Sequence, residues 1–115
     1  MRRGDIRFVD LDPVRGSESD KSRPAVVVSN DTANTTATRL GRGVITVVPV
    51  TSNVERIYPF QVLLLAAATG LPRDSKAQAE QVRSIAVERV GERRGSLPPH
   101  LVRDLDEALR VHLAL

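Results

Sequence analysis

The sequence predicts a mostly β fold: a small, partly open β-barrel with an amphipathic helix at its C-terminal end. Three observations predict it. Short apolar runs recur at close intervals, glycine and proline punctuate them, and helical periodicity is confined to the last stretch of the chain. With 115 residues the chain is long enough for one core and too short for two, so residues 1–115 are expected to form a single domain. A body of this size buries a modest fraction of its surface, which leaves room for association with a second copy.

The first strand is expected over Ile6 to Leu11, where Ile6 and Phe8 alternate with Arg7 and Val9, and Asp12-Pro13 should stop it. A polar loop, Val14 to Ser22, leads to a second strand, Ala25 to Ser29, whose valine run suits burial on both faces. Pro24 has a fixed φ and biases Arg23 toward an extended conformation, so the guanidinium is held at the mouth of that strand. Asn30 to Thr38 is rich in Asn and Thr, which favour turns by bonding their own backbone, and reads as a loop with at most one helical turn. Val44 to Val50 is the third strand, and Pro49 near its end argues for an edge or a bulge.

Thr51-Ser52-Asn53 closes that strand, and a short loop through Tyr58-Pro59 enters a fourth, Phe60 to Leu65. Ala66 to Asp74 reads as a turn region around Gly70 and Pro72. Ser75 to Ile85 reads as two short strands meeting at Glu80-Gln81, and Gly91 to Ser96, GERRGS, as a basic surface turn. From Pro98 the period changes: Leu101, Leu105, Ala108, Leu109 and His112 fall on one helical stripe, with Ser96 as a reasonable cap.

Composition narrows the chemistry. Cysteine is absent, so there is no disulfide framework, thiol nucleophile or thiolate metal site, which fits a reducing cytoplasm. No apolar run approaches the ~20 residues that cross a bilayer, and the start MRRGDIRF lacks the core of a signal peptide. A soluble cytoplasmic protein with no membrane partner is expected. The formal net charge of +3 permits a polyanionic partner without requiring one. Phe8, Tyr58 and Phe60 are too few for an extended base-stacking platform.

His100 is expected in solvent near the helix start and His112 at the border of the core, so acid–base chemistry falls to other residues. The carboxylate pairs Asp10 with Asp12 and Glu18 with Asp20 have the spacing to hold a hard cation, but such pairs are usually solvated, and no metal or cofactor is expected. Nucleotide-binding glycine loops are also missing. What remains is Glu18, Lys21 and Arg23 in and after the opening loop, with Thr51 and Ser52 at the end of the third strand.

At these residues the chain resembles the MazF/PemK family of toxins from bacterial toxin–antitoxin systems. RGDIRFVDLDPVRGSE, SRPAVVVSN, VVPVTSN, YPF and AEQVRSI occur in the family's order and spacing over almost the whole length. The resemblance implies an SH3-like barrel, usually a homodimer, acting as a metal-free, sequence-specific endoribonuclease on single-stranded RNA. It also implies a cognate antitoxin whose disordered tail occupies the RNA groove. Arg23 matches the arginine that the family uses at the scissile phosphate, Thr51 its active threonine, and Ser52 a following small hydroxyl residue. Glu18 matches a glutamate proposed to assist in some members, Glu80 stands where some have an aspartate with a proposed catalytic part, and Gln81 matches a position bordering an RNA base.

The chemistry is consistent with these residues. A metal-free ribonuclease uses the ribose 2′-OH as nucleophile, giving a 2′,3′-cyclic phosphate and a 5′-OH. A guanidinium and a hydroxyl can stabilise the charge that gathers on the phosphate. Glu18 reads equally as general base or as a solvated loop carboxylate. Lys21, Arg56 and Arg73 are expected at phosphates, with Asn53 in the same interface. Tyr58 is expected to stack a base; Phe60 could stack with it, but as the start of an apolar strand it is expected in the core. A rival use of the same barrel is a non-catalytic toxin that poisons DNA gyrase, against which the Arg-Pro and Val-Thr-Ser segments speak.

Overall fold

The valine-rich strands form the centre of a mostly antiparallel β body. The computed structural model describes residues 1–12, 15–18 and 22–115. The expectations placed on Pro13 as a strand stop, Asp20 as a carboxylate partner and Lys21 as a phosphate contact lie outside the described residues.

Among the described residues the strands are β1 (Asp5–Asp10), β2 (Ser22–Val27), β3 (Val44–Thr51), β4 (Gln61–Leu64), β5 (Ser75–Gln78), β6 (Arg83–Ala86) and β7 (Val90–Ser96). The helices are α1 (Asp31–Leu40), α2 (Ala66–Thr69) and α3 (Pro99–Leu113). The sheet runs β4-β5-β3-β2-β1-β7, with β6 also paired to β3. β4 and β7 end that path without pairing to one another, so the barrel is not closed.

Alternation along the central strands divides the core in two. Val26 and Val48, register partners in β2 and β3, face a cluster completed by Leu101, Leu105 and Ala108 of α3. Ala25, Val27 and Val47 face the other way, into a cluster that includes Ala37 of α1. The valine run is therefore buried on both faces, as expected, because each face has its own helix. Burying one leucine such as Leu105 contributes about 1.5–3 kcal/mol.

Several local expectations need correction. Asn30 to Thr38 lies in a helix instead of a loop: the Asn30 side chain caps α1 by accepting from the Ala33 N–H at 2.8 Å, and Gly41 ends it at φ 65°. Asn34 is fully buried there, donating to the Ser29 carbonyl at 2.8 Å, so a polar residue that favours turns in isolation is held by the fold. Pro49 sits on no edge. It is buried in β3 opposite Ala25, between the stretch of β3 that pairs with β6 and the stretch that pairs with β5, where no ladder partner calls for its missing N–H.

GERRGS belongs to a strand, β7, paired with β1. Gly95 is required there because a Cβ would collide with the Thr69 carbonyl oxygen. Pro98, not Ser96, occupies the N-cap of α3, with no side-chain cap bond. His112 is exposed and does not border the core, whereas His100 is exposed as expected. The stretch Ala66 to Asp74 contains the short helix α2 before its turn, and the two strands expected across Ser75 to Ile85 meet at a 3-10 turn, Ala79–Gln81.

Candidate active site

Arg23 is the second residue of β2, inside the strand and not at its mouth, paired with Val9 of β1. On its other side the β2–β3 ladder pairs Ala25 with Pro49, Val26 with Val48 and Val27 with Val47. Carried on by two residues, that register sets Arg23 against Thr51. The hydrogen-bonded frame of three strands thus brings a guanidinium and a hydroxyl together from positions far apart in the chain.

Both side chains line one cleft of about 300 Å³, together with Ser52 and Arg73. Pro24 and Leu71 give it an apolar wall. Arg23 and Thr51 are half-buried, while Ser52 and Arg73 are exposed. The guanidinium groups of Arg23 and Arg73 with the hydroxyls of Thr51 and Ser52, in a partly desolvated cleft, are suited to a phosphate, since a bidentate guanidinium matches its oxygens. Thr51 Oγ1 also accepts from the Asn53 N–H at 3.3 Å, which orients the hydroxyl at the strand end.

Asn53, Arg56 and Tyr58 line a second cleft of about 350 Å³ with Glu55 and Lys76. The Tyr58 ring stacks on Phe60 with centroids 5.3 Å apart and planes 1° from parallel. Phe60 is half-buried and backs Tyr58 instead of joining either core cluster. Arg56 Nη1 donates to the Tyr58 hydroxyl at 3.3 Å.

Of the other expected residues that are described, Glu18, Glu80 and Gln81 are not among the lining of either cleft. Glu18 is exposed, and its Oε1 accepts from the Arg15 N–H at 2.5 Å within its own turn. Gln81 Nε2 donates to the Ser17 carbonyl at 3.0 Å, tying that turn to the β5–β6 corner. Glu80 is half-buried and accepts from Gln61 Nε2 at 2.7 Å, while its Oε1 is buried without a hydrogen-bond partner. Among the described residues, no group of three or more His, Asp or Glu is placed to hold a metal ion.

Sequence reasoning passed over Lys76. It is only 8% exposed, pairs in register with Thr51, and donates from Nζ to the Arg56 carbonyl at 2.7 Å. The signal was a lone cation in a strand of small and polar residues, SKAQ, a pattern shared with many surface strands.

Comparison with known proteins agrees with this architecture. The family model for PemK-like, MazF-like toxins of type II toxin–antitoxin systems matches residues 2–113. The chain is 66% identical to Endoribonuclease MazF9 of Mycobacterium tuberculosis, covering all of this chain and 98% of that one. It is 35% identical to Endoribonuclease EndoA of Bacillus subtilis, over all of this chain and 96% of that one. The fold superposes on MazF of Deinococcus radiodurans with a TM-score of 0.81 at 25% identity, covering all of this chain and 97% of the other.

Proposed function

Since the chain belongs to the PemK-like, MazF-like toxins of type II toxin–antitoxin systems, we propose that residues 1–115 act as one endoribonuclease domain that cuts single-stranded RNA at the Arg23–Thr51 cleft. The observation that carries this reading is the presence of a half-buried guanidinium, Arg23, and a strand-end hydroxyl, Thr51, in the lining of one cleft of about 300 Å³.

In the proposed reaction the ribose 2′-OH attacks the adjacent phosphorus while a base takes its proton. The bond to the 5′-oxygen breaks, that oxygen gains a proton, and the products are a 2′,3′-cyclic phosphate and a 5′-OH. Arg23 and Thr51 donate to the non-bridging oxygens, where negative charge accumulates. Arginine keeps its proton at neutral pH, so Arg23 stabilises charge and does not act as the general acid. Ser52 and Arg73 hold the phosphate in register from the rim.

Glu18 is the base in this reading. Its turn is anchored through Ser17 to Gln81, and the binding of RNA brings the exposed carboxylate to the 2′-OH, since catalytic contacts tighten on substrate binding. Lys21, Asn53 and Arg56 contribute backbone contacts that set affinity, and Gln81 borders a base. A protein antitoxin would silence the toxin by covering the same groove with a disordered segment, and the active form would be a cytoplasmic homodimer.

The test is incubation of the purified protein with a long RNA in EDTA, followed by mapping of the ends. Cyclic phosphate and 5′-OH ends are expected, with no cleavage of an all-deoxy strand. Arg23→Ala should lower the rate by about 10²–10³. Wild-type cleavage by that variant would overturn the assignment.

A further inference from the structure

The second cleft is built around a charge that is expensive to bury. Lysine is seldom so enclosed without a partner, and Lys76, 8% exposed, gives the Arg56 carbonyl one bond. An ammonium has three donors, so this bond leaves capacity for a ligand in the cleft that Lys76 lines. Glu55, whose carboxylate is an acceptor, lines the same cleft, and its backbone N–H donates to Asn53 Oδ1 at 3.2 Å. The wall beside them is flat and stiff, because the Tyr58 ring is backed by Phe60 and its hydroxyl is held by Arg56. Thr51 and Lys76 are register partners, so this cleft adjoins the one that holds Arg23.

We propose that this second cleft reads one RNA base next to the scissile bond and selects the keto bases, uracil and guanine. The proposal rests on the ribonuclease reading above and adds its specificity determinant. A keto base presents, side by side, a carbonyl oxygen that accepts and an imino N–H that donates. Lys76 supplies the donor for the first and Glu55 the acceptor for the second. Cytosine and adenine reverse the pattern: their amino group would meet the ammonium, donor against donor, and leave the buried lysine without its second partner. A site made to pair a particular edge rejects the base that lacks it, because its own polar groups are then stranded. The cleft volume of about 350 Å³ falls within the range of small-ligand sites, about 300–1,000 Å³.

The experiment uses short single-stranded RNAs of one sequence, carrying U, G, C or A in turn at each position flanking the mapped cut. At one of these positions U or G should be cleaved with a kcat/KM about tenfold or more above C or A. Glu55→Ala, on an exposed loop, should erase that preference while its melting temperature stays with the wild type. Lys76→Met should erase it too, and the Glu55 variant decides the matter if the lysine variant does not fold. Cleavage with no keto-against-amino distinction, or a folded Glu55→Ala protein with the full preference, overturns the subsite alone. Failure of the unmodified protein to cleave any RNA in the set overturns the ribonuclease reading and the subsite with it.

Discussion

Gln61 donates its amide to Glu80 Oε2 at 2.7 Å and with its own Oε1 accepts from the Tyr58 N–H at 3.2 Å, so Glu80 is linked through one buried side chain to the loop that carries Tyr58. This placement predicts a positioning role for Glu80. Glu80→Gln keeps an oxygen for Gln61 and should cleave RNA within a few-fold of wild type. Glu80→Ala strands the Gln61 amide and should cost about 1–3 kcal/mol by urea denaturation. A folded Glu80→Gln protein with no activity would instead make the carboxylate an acid or base.

Thr51 separates two contributions to its cleft. Its hydroxyl serves the proposed phosphate contact, and its methyl group only fills space. Thr51→Ser should therefore retain most of the activity, whereas Thr51→Ala should lose about 10²-fold or more in kcat. Equal losses in the two variants, measured on one RNA, would assign Thr51 a packing role.

Gly95 offers a structural prediction. Any Cβ there overlaps the Thr69 carbonyl oxygen, a backbone atom that cannot swing aside as a side chain would, and Ile6 Cδ1 stands 3.6 Å away. Gly95→Ala should cost at least about 1–3 kcal/mol, as overpacking does. The measurement is the urea midpoint of the Gly95→Ala protein against wild type.

The sequence made the strands legible where valine alternation and Pro or Gly boundaries agreed, and the Arg23-Pro24 pair stood out because a fixed φ restrains a cation. It hid α1, because intrinsic preference pointed to turns. The helix exists because Asn30 caps it, Gly41 ends it and Ala37 fills the second face of the valine strands. Cap residues eleven positions apart, with Ala33 and Ala37 one helical turn apart between them, were the signal to weigh against the Asn and Thr content. β7 was hidden in a similar way. Its arginines look like those of a solvated turn, yet Arg94 lies 4.4 Å from the centre of the Phe8 ring, and the flanking glycines let the strand approach its neighbours. Lys76 was illegible for a different reason: a strand lysine declares its burial only when the loop that accepts its bond is in place.

The pH dependence of stability should carry a signature of Asp31. The Arg3 backbone N–H donates to its Oδ1 at 2.6 Å, and this bond, with the Asn34 amide and the nearby charges of Arg2 and Arg3, holds the carboxyl below its ordinary value of 3.8. A depressed folded-state value means that the unfolded chain takes up the proton first as pH falls. The contribution is thus fully present above the unfolded value and is lost as pH drops through the folded one. Asp31 also sits in the first turn of α1, where a negative charge favours the helix dipole. Asp31→Asn should therefore melt below wild type at about pH 7 and about pH 5, and the gap should close below about pH 3.8. Urea titrations of both proteins across that range would show it. A gap that stayed constant into acid would mean that the side chain acts by shape and not by charge.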